Sequence, residues 1–146
     1  MNRNDFLKCL RFEENQLTVD RYFEFRKSVD WHNFSREQAE SAIKKSFYLL
    51  TVWRENHELA MARVIGDGMY FKIVDVIVKP QYQGKGIGTL LIQNILKHIE
   101  NNLPPNSRAS IELTSEKGKE RFYIRQGFKV LPNEYAGSSL RKVIYK

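Results

Sequence analysis

The stretch VKPQYQGKGIGTLLIQNI, Val78–Ile95, places Gly84, Gly86 and Gly88 at every second position, immediately before an apolar run. Glycine weakens both helix and strand interiors, in a helix by about 1 kcal/mol against alanine. At a strand-to-helix junction it has a use. A helix start exposes unpaired N–H groups and the positive end of the macrodipole. Glycine adopts φ > 0 and lets the backbone approach an anion closely. Gln83–Gly88 is therefore a candidate phosphate cradle; the alternative is a loop whose glycines serve tight packing alone. The spacing fails G-x-x-x-x-G-K-[ST]. It also fails G-x-G-x-x-G, because the third glycine comes one residue early and neither Glu100 nor Glu112 is well placed as a ribose-binding acid.

The flanking elements follow from local pattern. Phe6–Phe12 (FLKCLRF) alternates imperfectly and reads as a first strand. Thr18 is an N-cap for a helix in Val19–Val29. Ser35, with Gln38 three residues on, opens a second helix to about Ser46. Ser46–Trp53 is β-branched and aromatic, a strand. His57–Val78 reads as two strands around Gly66-Asp67-Gly68, whose glycines supply the φ > 0 that a tight hairpin needs. Lys79-Pro80 ends the second of these strands. A helix follows from about Gly86 to Asn101. Ala109–Ser115 is a strand, Glu116–Gln126 contains a short helix closed by Gly127 as a left-handed cap, and Phe128–Leu131 and Ser139–Tyr145 are the last two strands. The crossover helix implies that the strands ending at Val78 and beginning at Ala109 run parallel.

The 146 residues, 42% hydrophobic and 12% aromatic, suit a single domain, residues 1–146, with a real core. One cysteine, Cys9, excludes a disulfide framework, and no Cys/His cluster has metal spacing, so no metal is expected. The polar N-terminus and the absence of a long apolar run point to a cytoplasmic protein with no membrane partner. The formal charge of +7 fits a nucleic acid, an anionic small ligand or a solvated basic surface. Lys and Arg are spread without a block, which makes nucleic acid the weaker partner and the anionic ligand the stronger.

Two sets of residues carry a resemblance. QGKGIG resembles the [QR]-x-x-G-x-[GA] signature of the GCN5-related N-acetyltransferases (GNAT), with Gln83, Gly86 and Gly88 at the fixed positions. RFYIRQGFKV, Arg121–Val130, resembles the family's F-Y-x-x-x-G-F element at a typical separation. Arg63–Val78 further resembles a bacterial subgroup related to plant serotonin N-acetyltransferases. The resemblance implies a mixed α/β GNAT fold: a mostly antiparallel sheet of 6-7 strands, a splayed parallel pair and about four helices. It implies acetyl-CoA as cofactor. The amides of Gln83, Gly84, Lys85, Gly86, Ile87, Gly88 and Thr89 would hold the pyrophosphate, and the freed edge at Val76, Ile77 and Val78 would pair with the pantetheine arm.

The same resemblance makes Tyr123 the acid that protonates the leaving sulfur; a tyrosine of pKa about 10 can donate to a thiolate of about 8.5 with a modest uphill step. An amide of Ile77 or Val78 would stabilise the oxyanion. Asp75 interrupts an apolar strand, where a carboxylate is costly unless partnered or functional, and burial would raise its pKa. Glu112 interrupts the neighbouring strand. Both are candidate bases, against outward-facing or salt-bridged carboxylates and against deprotonation through water. By resemblance the connection Ser28–Ser35 lines the acceptor pocket. Trp31 and Phe34 would stack on an amine and His32 hydrogen-bond to it, with Tyr135 as a second wall. Trp31 as an anchor of the helix pair is the competing role.

The expectation is an acetyl-CoA-dependent N-acetyltransferase acting on a primary amine of a small molecule, by direct transfer in a ternary complex. The alternatives are a protein or peptide amine acetyltransferase and a CoA-binding regulatory module without turnover. A paired or exchanged C-terminal strand in Ser139–Lys146 would make a homodimer.

Overall fold

The computed structural model describes residues 1–146. The chain divides into two compact units, Met1–Thr114 and Ser115–Lys146. The first holds α1 (Arg3–Lys8), β1 (Arg11–Glu14), α2 (Val19–Ser28), α3 (Arg36–Lys44), β2 (Tyr48–Arg54), β3 (His57–Gly66), β4 (Tyr70–Val78), a 3-10 turn (Pro80–Tyr82), α4 (Ile87–Asn101) and β5 (Ser110–Leu113). The second holds α5 (Glu120–Arg125).

The strands form one sheet in the order β1-β2-β3-β4-β5. Every pair is antiparallel except β4 and β5, which run parallel as the crossover helix requires. The fold class is the expected mixed α/β, with five strands rather than 6-7 and five helices rather than about four. Two corrections explain the difference. Phe6–Phe12 is not a strand. Asn2 caps Asp5 N–H at 2.9 Å and starts α1, which buries Phe6, and the strand begins only at Arg11. Phe128–Leu131 and Ser139–Tyr145 join no ladder. Their apolar alternation matches a strand, but a strand exists only where a neighbour takes its N–H and C=O groups. Here Leu140 is 93% exposed and Ile144 81%.

The caps read from sequence are present. Thr18 accepts from Arg21 N–H, and Ser35 and Gln38 close a capping box. The hairpin turn uses Gly68 at φ 98°, while Asp67 Oδ1 accepts from the Met69 and Tyr70 amides. Gly66 serves a different need: a Cβ there would come within 2.4 Å of the Phe71 ring.

The sheet is covered on both faces. Tyr22 and Phe25 of α2 and Ala39 of α3 pack with Met61 and Ile77, and Leu17, Val19, Trp31 and Ile43 rim that cluster. Tyr48, on the opposite face, stacks on His98 of α4 at 3.7 Å. The apolar stripe of α4, Leu91, Ile92, Ile95 and Ile99, is fully buried.

In unit Ser115–Lys146 the backbone closes α5 at its C-terminal end. Gly127, at φ 97°, donates to Ile124 O, and Phe128 N–H donates to Tyr123 O. This is the left-handed helix stop that the glycine predicted.

Candidate active site

The glycine segment lies between the end of β4 and the start of α4. Gly84 has φ 76° and Gly86 φ 93°, values that side-chain-bearing residues adopt only with strain. Gly86 is the N-cap of α4 and supplies no side-chain oxygen to its first turn. Gln83 Nε2 donates to Val78 O at 2.9 Å, tying the loop back to the strand end. A Cβ at Gly84 would meet nothing within 4 Å, so the backbone there is open to approach. At Gly86 it would come 2.7 Å from the Arg3 guanidinium. Lys85 Nζ sits 5.0 Å from the centre of the Phe6 ring. Helix α1 therefore flanks the loop and brings Arg3 to it. The sequence pattern missed this because it took Phe6–Phe12 for a strand.

The β4–β5 ladder runs from Tyr70 against Ser110 to Ile73 against Leu113, where β5 ends. Beyond it, Val74–Val78 stays paired to β3 only, through Val74 with Arg63, Ile77 with Met61 and Val78 with Ala60. The free edge anticipated at Val76, Ile77 and Val78 is present on the side of β4 that β5 leaves.

Asp75 breaks the register. Between Met61 and Arg63 the ladder shifts, and Asp75 takes a left-handed conformation, φ 53°. Such a bulge re-aims a side chain. Here it turns the carboxylate toward α2, leaving its side chain 6% exposed. Oδ1 accepts from Arg26 Nη1 at 2.6 Å; Oδ2 accepts from Tyr22 Oη at 2.7 Å and from Arg63 Nε at 3.1 Å. Both oxygens are engaged by donors of the fold, so the buried carboxylate is compensated. The Tyr22 hydroxyl is pushed up to about 12 by burial and then by the Asp75 charge. Glu112 stands apart from this cluster, exposed on β5 opposite Lys72 within the paired part of the ladder.

Trp31 is half-buried against the α2 cluster, the anchoring role set beside its stacking role. His32 is exposed and Phe34 is 57% exposed. The Arg26 guanidinium lies 5.5 Å from the Trp31 ring centre and 5.2 Å from that of Phe34. In the second unit, Tyr123 packs edge-on to Phe122 and Phe128. Burial and then the Glu116 charge raise its hydroxyl above the ordinary tyrosine value. Tyr135 is 86% exposed in a turn closed by Asn133 Oδ1.

Residues 15–146 match the family model described as an acetyltransferase (GNAT) domain. The chain belongs to the GNAT family of acetyltransferases. A probable acetyltransferase from methicillin-resistant Staphylococcus aureus is 26% identical, with a TM-score of 0.79 over 92% of this chain and 99% of that one. A GNAT family protein from Streptococcus pneumoniae has the same fold at 21% identity, with a TM-score of 0.77 over 94% and 99% of the two chains. Serotonin N-acetyltransferase 2, chloroplastic, of Oryza sativa subsp. japonica is 29% identical over 112 residues, 71% of this chain and 54% of that protein. This GNAT chain thus spans about half the length of the curated relative it matches. No helix in it is long and apolar enough to cross a membrane.

The sequence pointed to the positive-φ glycine loop and to the edge of β4 that β5 leaves, and did not point to Tyr22, Arg26, Arg63 and Arg3 around them. Arg26 and Tyr22 sit at helical spacing on α2, which packs on β4 through Ile77, and the bulge at Asp75 turns the carboxylate to meet them.

Proposed function

We infer that this acetyltransferase uses acetyl-CoA and moves the acetyl group to a primary amine of a small molecule, by direct transfer with both substrates bound. The observation that carries this is the uncapped, glycine-lined start of α4 beside the unpaired edge of β4. A diphosphate fits there on chemical grounds. The α4 start offers amide donors and a positive dipole end, Gly84 leaves room, and Arg3 and Lys85 add charge. Gln83, Gly84, Lys85, Gly86, Ile87, Gly88 and Thr89 would hold the diphosphate, and the backbone of Val76, Ile77 and Val78 would align the arm that carries the acetyl group. When bound, acetyl-CoA supplies an activated thioester.

The chain's own groups do the rest. An amide of Ile77 or Val78 would supply the donor for the developing negative oxygen. By the family resemblance Tyr123 would give its proton to the departing sulfur; burial and then the Glu116 charge favour the protonated form of its hydroxyl. Asp75 is committed to Arg26, Arg63 and Tyr22, which favours water over this carboxylate as the immediate acceptor of the amine proton. Glu112 is accessible to solvent and serves, on this reading, only as a distant relay. Trp31, His32 and Phe34 would form the acceptor wall on this reading, and Tyr135 stays the further contact that the family resemblance implies. The rice relative's name adds an arylalkylamine to the acceptors to try.

The experiment is thiol release from acetyl-CoA across serotonin, tryptamine, spermidine, free amino acids and a short peptide. Turnover with small amines and none with the peptide is expected. Turnover confined to the peptide would overturn the acceptor class, and none with any amine would overturn catalysis.

A further inference from the structure

The connection Val29–Ser35 between α2 and α3 has no regular structure, yet one side chain grips it. Arg26, in the last turn of α2, donates from Nε at 3.2 Å and from Nη2 at 2.5 Å to the carbonyl oxygen of His32. From Nη1 it donates to Asp75 at 2.6 Å. Its side chain is 12% exposed. The same guanidinium lies close to the rings of Trp31 and Phe34. Only a planar fork of donors reaches a carbonyl on one side and a carboxylate on the other; the ammonium of lysine is a point charge that serves one of them.

Charge balance separates this grip from core stability. Asp75 keeps Arg63 and Tyr22 when Arg26 is removed, so its carboxylate stays paired. What is lost is the link from His32 to the bulge of β4, one residue before Val76–Val78. We propose that Arg26 is a positioning residue that locks the Val29–Ser35 connection to the β4 bulge, and so fixes Trp31 and Phe34 relative to the edge at Val76–Val78. The lock itself stands on geometry alone. Its consequence for acceptor binding rests on the functional reading above.

The test compares the wild-type protein with Arg26→Gln and Arg26→Lys, using hydrogen exchange by mass spectrometry without ligand. Amides of residues 29–35 should exchange faster by about tenfold in both variants, as expected for losing charge-assisted hydrogen bonds that hold one segment, while β2 and α4 keep their protection. Unchanged exchange in the connection would overturn the lock. So would acceleration spread evenly over β2, β3 and α4, which marks a purely structural residue. The second readout is kinetic, with serotonin, or with the fastest amine of the panel if serotonin is not used. The amine KM should rise about tenfold with the acetyl-CoA Kd unchanged, the pattern of lost acceptor positioning. A fall in kcat at constant amine KM would overturn the link to acceptor binding. If the wild-type protein acetylates no amine, the functional reading fails, and the exchange data still decide the lock.

Discussion

The Tyr22 hydroxyl is 2.7 Å from Asp75 and is pushed up to about 12, first by burial and then by the carboxylate charge, with Arg26 and Arg63 opposing. The folded state therefore holds this proton more tightly than the unfolded chain, whose tyrosines release theirs at about 10. Stability from this proton is complete below pH 10 and is lost as pH rises toward 12, because the unfolded state then binds fewer protons than the native one. The loss across that window is on the order of 2 kcal/mol. Tyr48, raised by burial and by its hydrogen bond to Glu14, adds a loss of the same sign. Urea midpoints at pH 9 and pH 11.5 should show a smaller alkaline decline in Tyr22→Phe than in wild type. An equal decline would remove Tyr22 as its source. Tyr123 is a second residue-level test. Tyr123→Phe should lower kcat by about 10²-fold or more, the usual contribution of a general acid, and leave acetyl-CoA affinity unchanged. An unaltered kcat across pH would take Tyr123 out of the chemistry. Asp75 shows the limit of sequence at this scale. A carboxylate inside KIVDVIV signals something that must be partnered or functional. Which of the two depends on Tyr22 and Arg26, more than forty positions away.

At the scale of elements, the loop before α4 was legible because its constraint is local. Gly84 and Gly86 occupy the left-handed region whatever surrounds them, and sequence records that need directly. Each should cost about 1 kcal/mol on conversion to alanine from backbone strain. The two differ in space, however. Gly84→Ala meets open solvent, and Gly86→Ala meets the Arg3 guanidinium, whose flexible end can move. Thermal unfolding should therefore show similar destabilisation for both. Destabilisation much greater for Gly86→Ala would mean that α1 cannot yield. The illegible elements were those defined by partners. A six-residue helix in α1 and a strand in FLKCLRF share the same short apolar pattern, and the cap at Asn2 decides between them. The segments after α5 carry strand-like alternation without a ladder, and alternation cannot supply the neighbour. The parallel β4–β5 pair, by contrast, followed from the length of its crossover alone.

At the scale of the whole molecule, the formal charge of +7 and the positive end of α4 would act together on the anionic cofactor proposed above. Backbone amides at a fixed loop contribute short-range, weakly screened contacts. The dispersed Lys and Arg residues contribute a field that salt screens, since the Debye length falls from about 10 Å at 0.1 M to about 3 Å at 1 M. Acetyl-CoA at a hundred times its Kd should stabilise the native state by about 2.7 kcal/mol. For a chain of this size that is a rise in Tm of roughly 5–10 °C. Differential scanning fluorimetry at fixed acetyl-CoA should show the shift shrinking, without vanishing, between 0.1 M and 1 M NaCl. A shift independent of salt would place all of the affinity in the loop amides and none in the basic surface. No shift at millimolar acetyl-CoA, even at low salt, would sink the cofactor assignment, and with it the reason for glycine at positions 84, 86 and 88.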